Sequence, residues 1–239
     1  MNDLLGLAIA GHGGRRRWDQ ISRFRASMSI TGAIFTRVGR PGWLAGVMME
    51  GDTDDERLTI VPFPRPGQYT TWEPGRLRIH TTDGALVAER CDSAAALRGP
   101  TRVAPLDEFQ VAQVAGEAGW TYFVAPFIFT RGDFVTEETW PWREDGRIWR
   151  ALLVTYPDCL VTHSRQQTYY FDDTGLLRRL DYTVLIPGGG PAAHYPSHYR
   201  EFDGIMVPTR RVVYDRSPDG YPDRSSASVD IGVTDVTFS

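Results

Sequence analysis

The sequence predicts a mainly β protein, with a single antiparallel sheet of about ten strands curled into a half-barrel or barrel around one main helix. Three observations carry this reading. Long runs alternate apolar and polar residues with the period of a strand, short turns rich in Gly, Pro and Asp separate them, and one stretch in mid-chain switches to helical spacing.

The first element is short. Leu4, Leu5, Leu7 and Ala8 form an apolar stripe over 3–10, and Gly11, Gly13 and Gly14 end it, with His12 among them reading as a surface residue. Residues 23–37 then alternate: Phe24, Ala26, Met28, Ile30, Gly32 and Ile34 share one face, and Arg25, Ser27, Ser29 and Thr31 the other, with a bend at Gly32. Further strands are expected at 43–50, 57–63, 76–82 and 85–91, the last two joined by a hairpin at Asp83-Gly84.

The helix is expected at 105–125. Pro105 suits its start, Asp107 and Glu108 complement its N-terminal dipole, and Val111, Val114, Ala115, Ala118 and Tyr122 make the stripe that Pro126 ends. Residues 133–146, with Phe134, Trp140 and Trp142, read as a loop or lid. Strands resume at 147–156, 159–163, 165–172, 176–186, 204–214 and 226–238, with a turn at Asp173-Thr174-Gly175 and a flexible hairpin loop at 215–226. Residues 1–239 are read as one domain.

Composition narrows the chemistry. The 239 residues are 41% apolar and 12% aromatic, and the net charge of −4 argues against nucleic acid as a partner. All 26 basic residues are arginine, so Schiff-base chemistry, a pyridoxal-phosphate attachment and a phosphate-binding lysine are excluded. Cys91 and Cys159 form no metal-ligand spacing, no nucleotide or hydrolase motif occurs, and no organic cofactor is implied. No stretch approaches the ~18 apolar residues of a membrane span. The opening MNDLLGLAIAGHGG lacks a basic n-region and has a short apolar run, so a cytoplasmic protein is expected.

The densest set of proton-handling side chains lies at 187–203, read as an irregular crossover. His194, Tyr195, His198, Tyr199 and Asp203 fall within ten residues, and the expected catalytic arrangement has a histidine facing the cavity, a tyrosine beside it and Asp203 orienting the imidazole. Metal binding by the two histidines is the alternative chemistry. Gly188, Gly189 and Gly190 would let the segment approach the sheet or move as a lid. A sheet too wide to fill itself implies an apolar cavity, with Trp120, Tyr122, Phe127 and Trp149 expected to line one pocket. Arg210 and Arg211 point to opposite faces of their strand, so only one can enter it, and Arg210 is the expected ligand-binding residue. Arg178, Arg179 and Asp181 read as a cross-strand ion network.

The order of a short helix, a long strand, a meander, a helix and a second meander resembles the half-barrel lipid carriers typified by the lipoprotein-sorting chaperones LolA and LolB and by mycobacterial glycolipid carriers. The runs YYFDDTGLLRRLDY and HYPSHYREFDGIMVPTRR are also similar to uncharacterised bacterial proteins of this size. The expected ligand is a hydrophobic small molecule. The main functional reading is a cofactor-independent cyclase or isomerase using acid–base chemistry; the alternative is a carrier without chemistry.

Overall fold

A computed structural model describes residues 3–92, 105–186 and 189–239. Its frame is one antiparallel sheet of 13 strands, ordered β6-β5-β4-β3-β2-β1-β13-β12-β11-β10-β9-β8-β7. The strands are β1 (Arg23–Thr31), β2 (Leu44–Asp52), β3 (Leu58–Val61), β4 (Gln68–Glu73), β5 (Arg76–Thr81), β6 (Leu86–Cys91), β7 (Val135–Glu144), β8 (Arg147–Thr155), β9 (Gln166–Phe171), β10 (Leu177–Thr183), β11 (Pro191–Phe202), β12 (Ile205–Asp215) and β13 (Val229–Phe238). Every neighbour in the sheet is a neighbour in sequence except β1 and β13, which pair from Phe24↔Phe238 to Thr31↔Asp230. Two meanders therefore meet at the middle of the sheet, and β6 and β7 are its free edges.

Four helices accompany the sheet among the described residues: α1 (Asp3–Gly11), α2 (Arg15–Trp18), α3 (Ala33–Arg37) and α4 (Glu108–Val124), with a 3-10 turn at Phe127–Thr130. α4 begins one residue past its N-cap Asp107, which forms a capping box: Asp107 accepts from the Gln110 amide and the Gln110 side chain accepts from the Asp107 amide, each at 2.9 Å. It leaves the β6 side of the sheet, crosses the inner face and delivers the chain to β7. On the way it packs on β3, β4 and β5.

Glycine makes that contact close. A Cβ on Gly116 would come within 2.5 Å of the buried Trp72 ring, and one on Gly119 within 2.7 Å of Met49. Around it, Phe24 stacks on Phe123 at 4.6 Å and Trp18 on Phe127 at 4.2 Å, and one apolar core runs from α1 to β13.

Strand periodicity holds along β1, where Phe24, Ala26, Met28 and Ile30 are buried. The strand ends at Thr31, however. Gly32 takes a φ of 129° against the backbone of Ser228, and α3 replaces the expected continuation.

Two segments expected as a loop and a crossover are strands, and so is a third to which no element was assigned, which raises the strand number. β7 is an edge strand, exposed on both faces, with Pro141 inside its one register shift, so it shows no alternation. β4 has only Trp72 as a large buried apolar residue. The expected crossover is β11: past His194 it pairs only with β12, a one-sided stretch that tolerates the missing N–H of Pro196. Residues 159–163, expected as a strand, are irregular.

The outer face carries a second, smaller cluster. Arg179 is 0% exposed there, donating to both oxygens of Asp181 at 2.7 and 2.8 Å and to Glu144 at 2.7 Å. The rings of Trp142, Tyr170 and Tyr195 surround its guanidinium at 4.7–5.7 Å. The loop after β12 fastens over this cluster and is not the free hairpin expected: Gly220 accepts from Arg179, Tyr221 packs on Trp142 and Arg224 bonds Glu144 at 2.7 Å. Arg178, expected in the same network, pairs instead with Asp172 at 2.6 Å.

Two stability outcomes follow from these contacts. Gly116→Ala should lower unfolding free energy by about 1–3 kcal/mol in urea melts, because overpacking against Trp72 outweighs the gain of about 1 kcal/mol in helix propensity. Arg179→Met should cost about 3–5 kcal/mol, since it leaves Glu144 and Asp181 buried without their shared cation.

Candidate functional site

Because α4 sits against β3–β5, the inner face of β10–β13 is left uncovered on the helix's other side. The cleft that results is about 870 Å³ including its open mouth. Its walls are nearly all apolar: Val111, Val114, Ala115, Ala118 and Tyr122 of α4, Ile34 of α3 and Val38 just after it, and Tyr182, Ala192, Val213 and Ile231 of the sheet. Gly189 and Gly190 stand on its rim, while Gly188 lies outside the described residues.

A second cavity, about 540 Å³ including space open to solvent, adjoins it, and Tyr122 lines both. Here polar side chains join a mainly apolar wall. Arg211, His12, Tyr169 and Tyr199 face the space together with Phe127, Leu177 and Leu180. Arg211 is 5% exposed, donates to the Tyr122 carbonyl at 2.9 Å and lies 4.6 Å from the Tyr122 ring. Burial pushes its pKa below the ordinary arginine value, and no carboxylate among the described residues pairs with it. His12 bonds the Ala8 carbonyl through Nδ1 at 2.8 Å, which makes Nδ1 the protonated nitrogen, and burial lowers its pKa to about 4. The imidazole is therefore neutral at neutral pH.

The glycines around His12 explain why it is buried and not at the surface. A Cβ on Gly11 would strike the Thr174 carbonyl and one on Gly13 the Gly204 carbonyl, so bare backbone lets the end of α1 press onto two hairpin turns.

Of the side chains expected in the site, Tyr122, Phe127 and Tyr199 reach these cavities. Tyr199 donates its hydroxyl to the Leu177 carbonyl at 2.7 Å. Trp120 is buried in the packing of the helix, donating Nε1–H to the Asp52 carbonyl at 2.8 Å. Trp149 belongs to the outer-face cluster with Ala151 and Tyr170, so the four expected aromatics do not share one pocket. Arg210 points outward and pairs with Asp230 at 3.0 Å; Arg211 is the inward one.

The expected catalytic grouping does not assemble. His194 is 0% exposed between Tyr122 and Tyr182, lines neither cavity, and is held neutral by burial, its pKa well below the ordinary value. His198 is exposed on β11 with a φ of 53°. Tyr195 lies on the outer face, donating to Glu144 at 2.9 Å. Asp203 accepts from the Phe238 amide at 2.9 Å and orients no imidazole. With Gly204 it forms the β11–β12 hairpin, at φ values of 49° and 83°. That Asp-Gly pair between apolar residues is itself a hairpin signal, and it identifies β11 and β12 as one ribbon.

A titratable cluster that the sequence reading missed stands at the rim. His163 Nδ1 lies 2.9 Å from Glu117, which also accepts from Gln113 at 2.8 Å. Beside it Glu56 accepts from the Val161 amide at 3.0 Å, and burial together with the Glu117 charge raises its pKa to about 8. These residues are far apart in the chain, and no spacing marks them. Among the described residues no group of His, Cys, Asp and Glu is arranged to hold a metal ion.

The Glu56 shift gives a pH test. From its ordinary value of 4.5 up to about 8 the folded protein keeps a proton that the unfolded chain has released, so this residue's contribution to stability falls as pH rises across that window. The slope is at most about 1.4 kcal/mol per pH unit. Urea melts between the two limits should show a steeper decline for the wild type than for Glu56→Gln, and equal slopes would contradict the assignment.

The sequence matches no protein-family model and no curated protein. Solved structures do resemble it. A LolA superfamily protein, NE2245 from Nitrosomonas europaea, superposes with a TM-score of 0.54 at 16% identity, over 94% of this chain and 91% of that one. A putative outer membrane lipoprotein-sorting protein domain from Vibrio parahaemolyticus gives 0.54 at 10% identity, over 99% and 93%. A DUF1329 family protein from Desulfovibrio piger gives 0.51 at 14% identity, over 98% and 91%. At these identities the likeness is one of fold, and it bears out the architectural resemblance: the chain has the LolA-like fold, an open curled sheet with a helix against its inner face.

Proposed function

We propose that this protein binds a hydrophobic or lipid-like molecule in the cleft between α4 and β10–β13 and carries it without chemical change. The observation behind this reading is the cleft itself, about 870 Å³ with almost wholly apolar walls and an open mouth. The fold relatives support it, since one is described as a lipoprotein-sorting domain. The cyclase or isomerase reading required His194 or His198 at the cavity wall, and neither stands there. No described helix is long and apolar enough to cross a membrane.

The test is occupancy. Protein purified from cells and examined by native mass spectrometry should carry a co-purified apolar molecule, and the delipidated protein should bind the fluorescent probe N-phenylnaphthylamine. Ala118 is half-buried in the cleft wall, so Ala118→Trp should fill the space. Probe affinity is expected to fall by about tenfold or more, or about 1.4 kcal/mol, with the melting temperature little changed. Undiminished binding in this variant would move the site elsewhere, and conversion of an incubated lipid to a new mass would restore the enzyme reading.

A further inference from the structure

Two arginines are buried among the described residues, and they are treated oppositely. Arg179 is saturated with two carboxylates, a backbone carbonyl and three aromatic rings. Arg211 has one hydrogen bond, to a neutral carbonyl, and one ring beneath it. Among the described residues its nearest polar neighbours are Tyr122, Tyr169, Tyr182 and Tyr199 and the neutral imidazoles of His12 and His194, while the charged Asp172 and Arg178 behind Tyr199 are paired with each other at 2.6 Å. An arginine stays charged in such a place, and burying a charge without a partner is costly. Arg211 lines the second cavity, about 540 Å³ including space open to solvent, most of whose other lining residues are apolar. The larger apolar cleft begins on the other side of Tyr122.

Resting on the carrier reading above, we propose that the ligand is a long-chain amphiphile with an anionic head, its carboxylate or phosphate oxygens paired with Arg211 and its hydrocarbon chain passing Tyr122 into the α4 cleft. The planar guanidinium suits the two oxygens of such a head, and the anion supplies the counter-charge that the protein withholds. Arg37, the other cation at the cleft, is already paired with Asp215 at 3.2 Å and bonded to Ser228 at 3.0 Å, so it does not compete for the head. Arg210 next in sequence faces solvent and serves as a control.

The test compares ligands that differ only at the head. Binding of palmitate, hexadecyl phosphate and methyl palmitate to the delipidated protein is measured by native mass spectrometry and by displacement of N-phenylnaphthylamine. The wild type should bind one or both acids about tenfold or more tighter than the ester; which acid is preferred distinguishes a carboxylate from a phosphate head. In Arg211→Gln that preference should vanish while ester binding is retained. In Arg37→Gln and Arg210→Gln it should persist. Without ligand, Arg211→Gln should melt no lower than the wild type, because it removes an uncompensated buried charge. If Arg211→Gln does not fold, the acid-to-ester ratio of the wild type and of Arg37→Gln decides alone. Equal affinity for acids and ester, or loss of the preference in Arg37→Gln, would overturn the anionic head and leave the carrier reading standing. Failure to bind any of the three, or the probe, would remove the carrier reading and this inference with it.

Discussion

The architecture depends on how closely one helix can approach one sheet. A curled sheet of 13 strands has more inner surface than a single 17-residue helix can cover. Gly116 and Gly119 let α4 press directly onto Trp72 and Met49, which commits it to the β3–β5 side. Everything gained in packing there is withheld from β10–β13, and the uncovered strip becomes the cleft. A helix centred in the sheet, held off by larger side chains, would fill the space evenly and leave two shallow grooves.

The sheet also separates two kinds of polar chemistry by residue parity. On β10, Arg179 and Asp181 point outward while Leu180 and Tyr182 point in; on β12, Arg210 points out while Arg211, Val207 and Val213 point in. Outward charges are neutralised across strands and by the loop that folds over them, so the outer cluster is a fastening. Inward polar groups meet tyrosine hydroxyls, neutral imidazoles and empty space. Arg211 is the inward residue whose charge the protein leaves unanswered, and the surrounding tyrosines offer hydrogen-bonding capacity at the same end of the cavity. These polar groups stand at the end of the cavity system away from the Val111–Ala118 wall.

Backbone conformation decides where the crossover residues go. On β11, His194 and Tyr199 both have rings toward the inner side although five positions apart, and His198, at a φ of 53°, lies between them. Simple alternation from His194 would have turned Tyr199 outward. The hairpin at Asp203-Gly204 then returns the chain in register with β12, which brings Arg211 opposite Pro196 and beside the end of α4. The same turn spends Asp203 on the Phe238 amide at the end of the C-terminal strand.

Much of this was legible in the chain itself. The period-2 runs, the helical stripe and the turn residues determined a curled antiparallel sheet with one helix, because those signals arise from local backbone geometry and from burying one face. The parity of Val207, Arg211 and Val213 was also available, and it would have selected Arg211 over Arg210. The edge strand β7 was not legible, since an element exposed on both faces has no alternation to show, whereas the other edge, β6, was marked by the Asp83-Gly84 turn before it. Nor was the site. Whether His194 faces a cavity or lies behind two tyrosines, whether His163 meets Glu117 from 46 residues away, and whether Arg211 finds a carboxylate are decided when distant strands close around α4, because a side chain's charge partners and solvent are set by what packs against it and not by its neighbours in sequence.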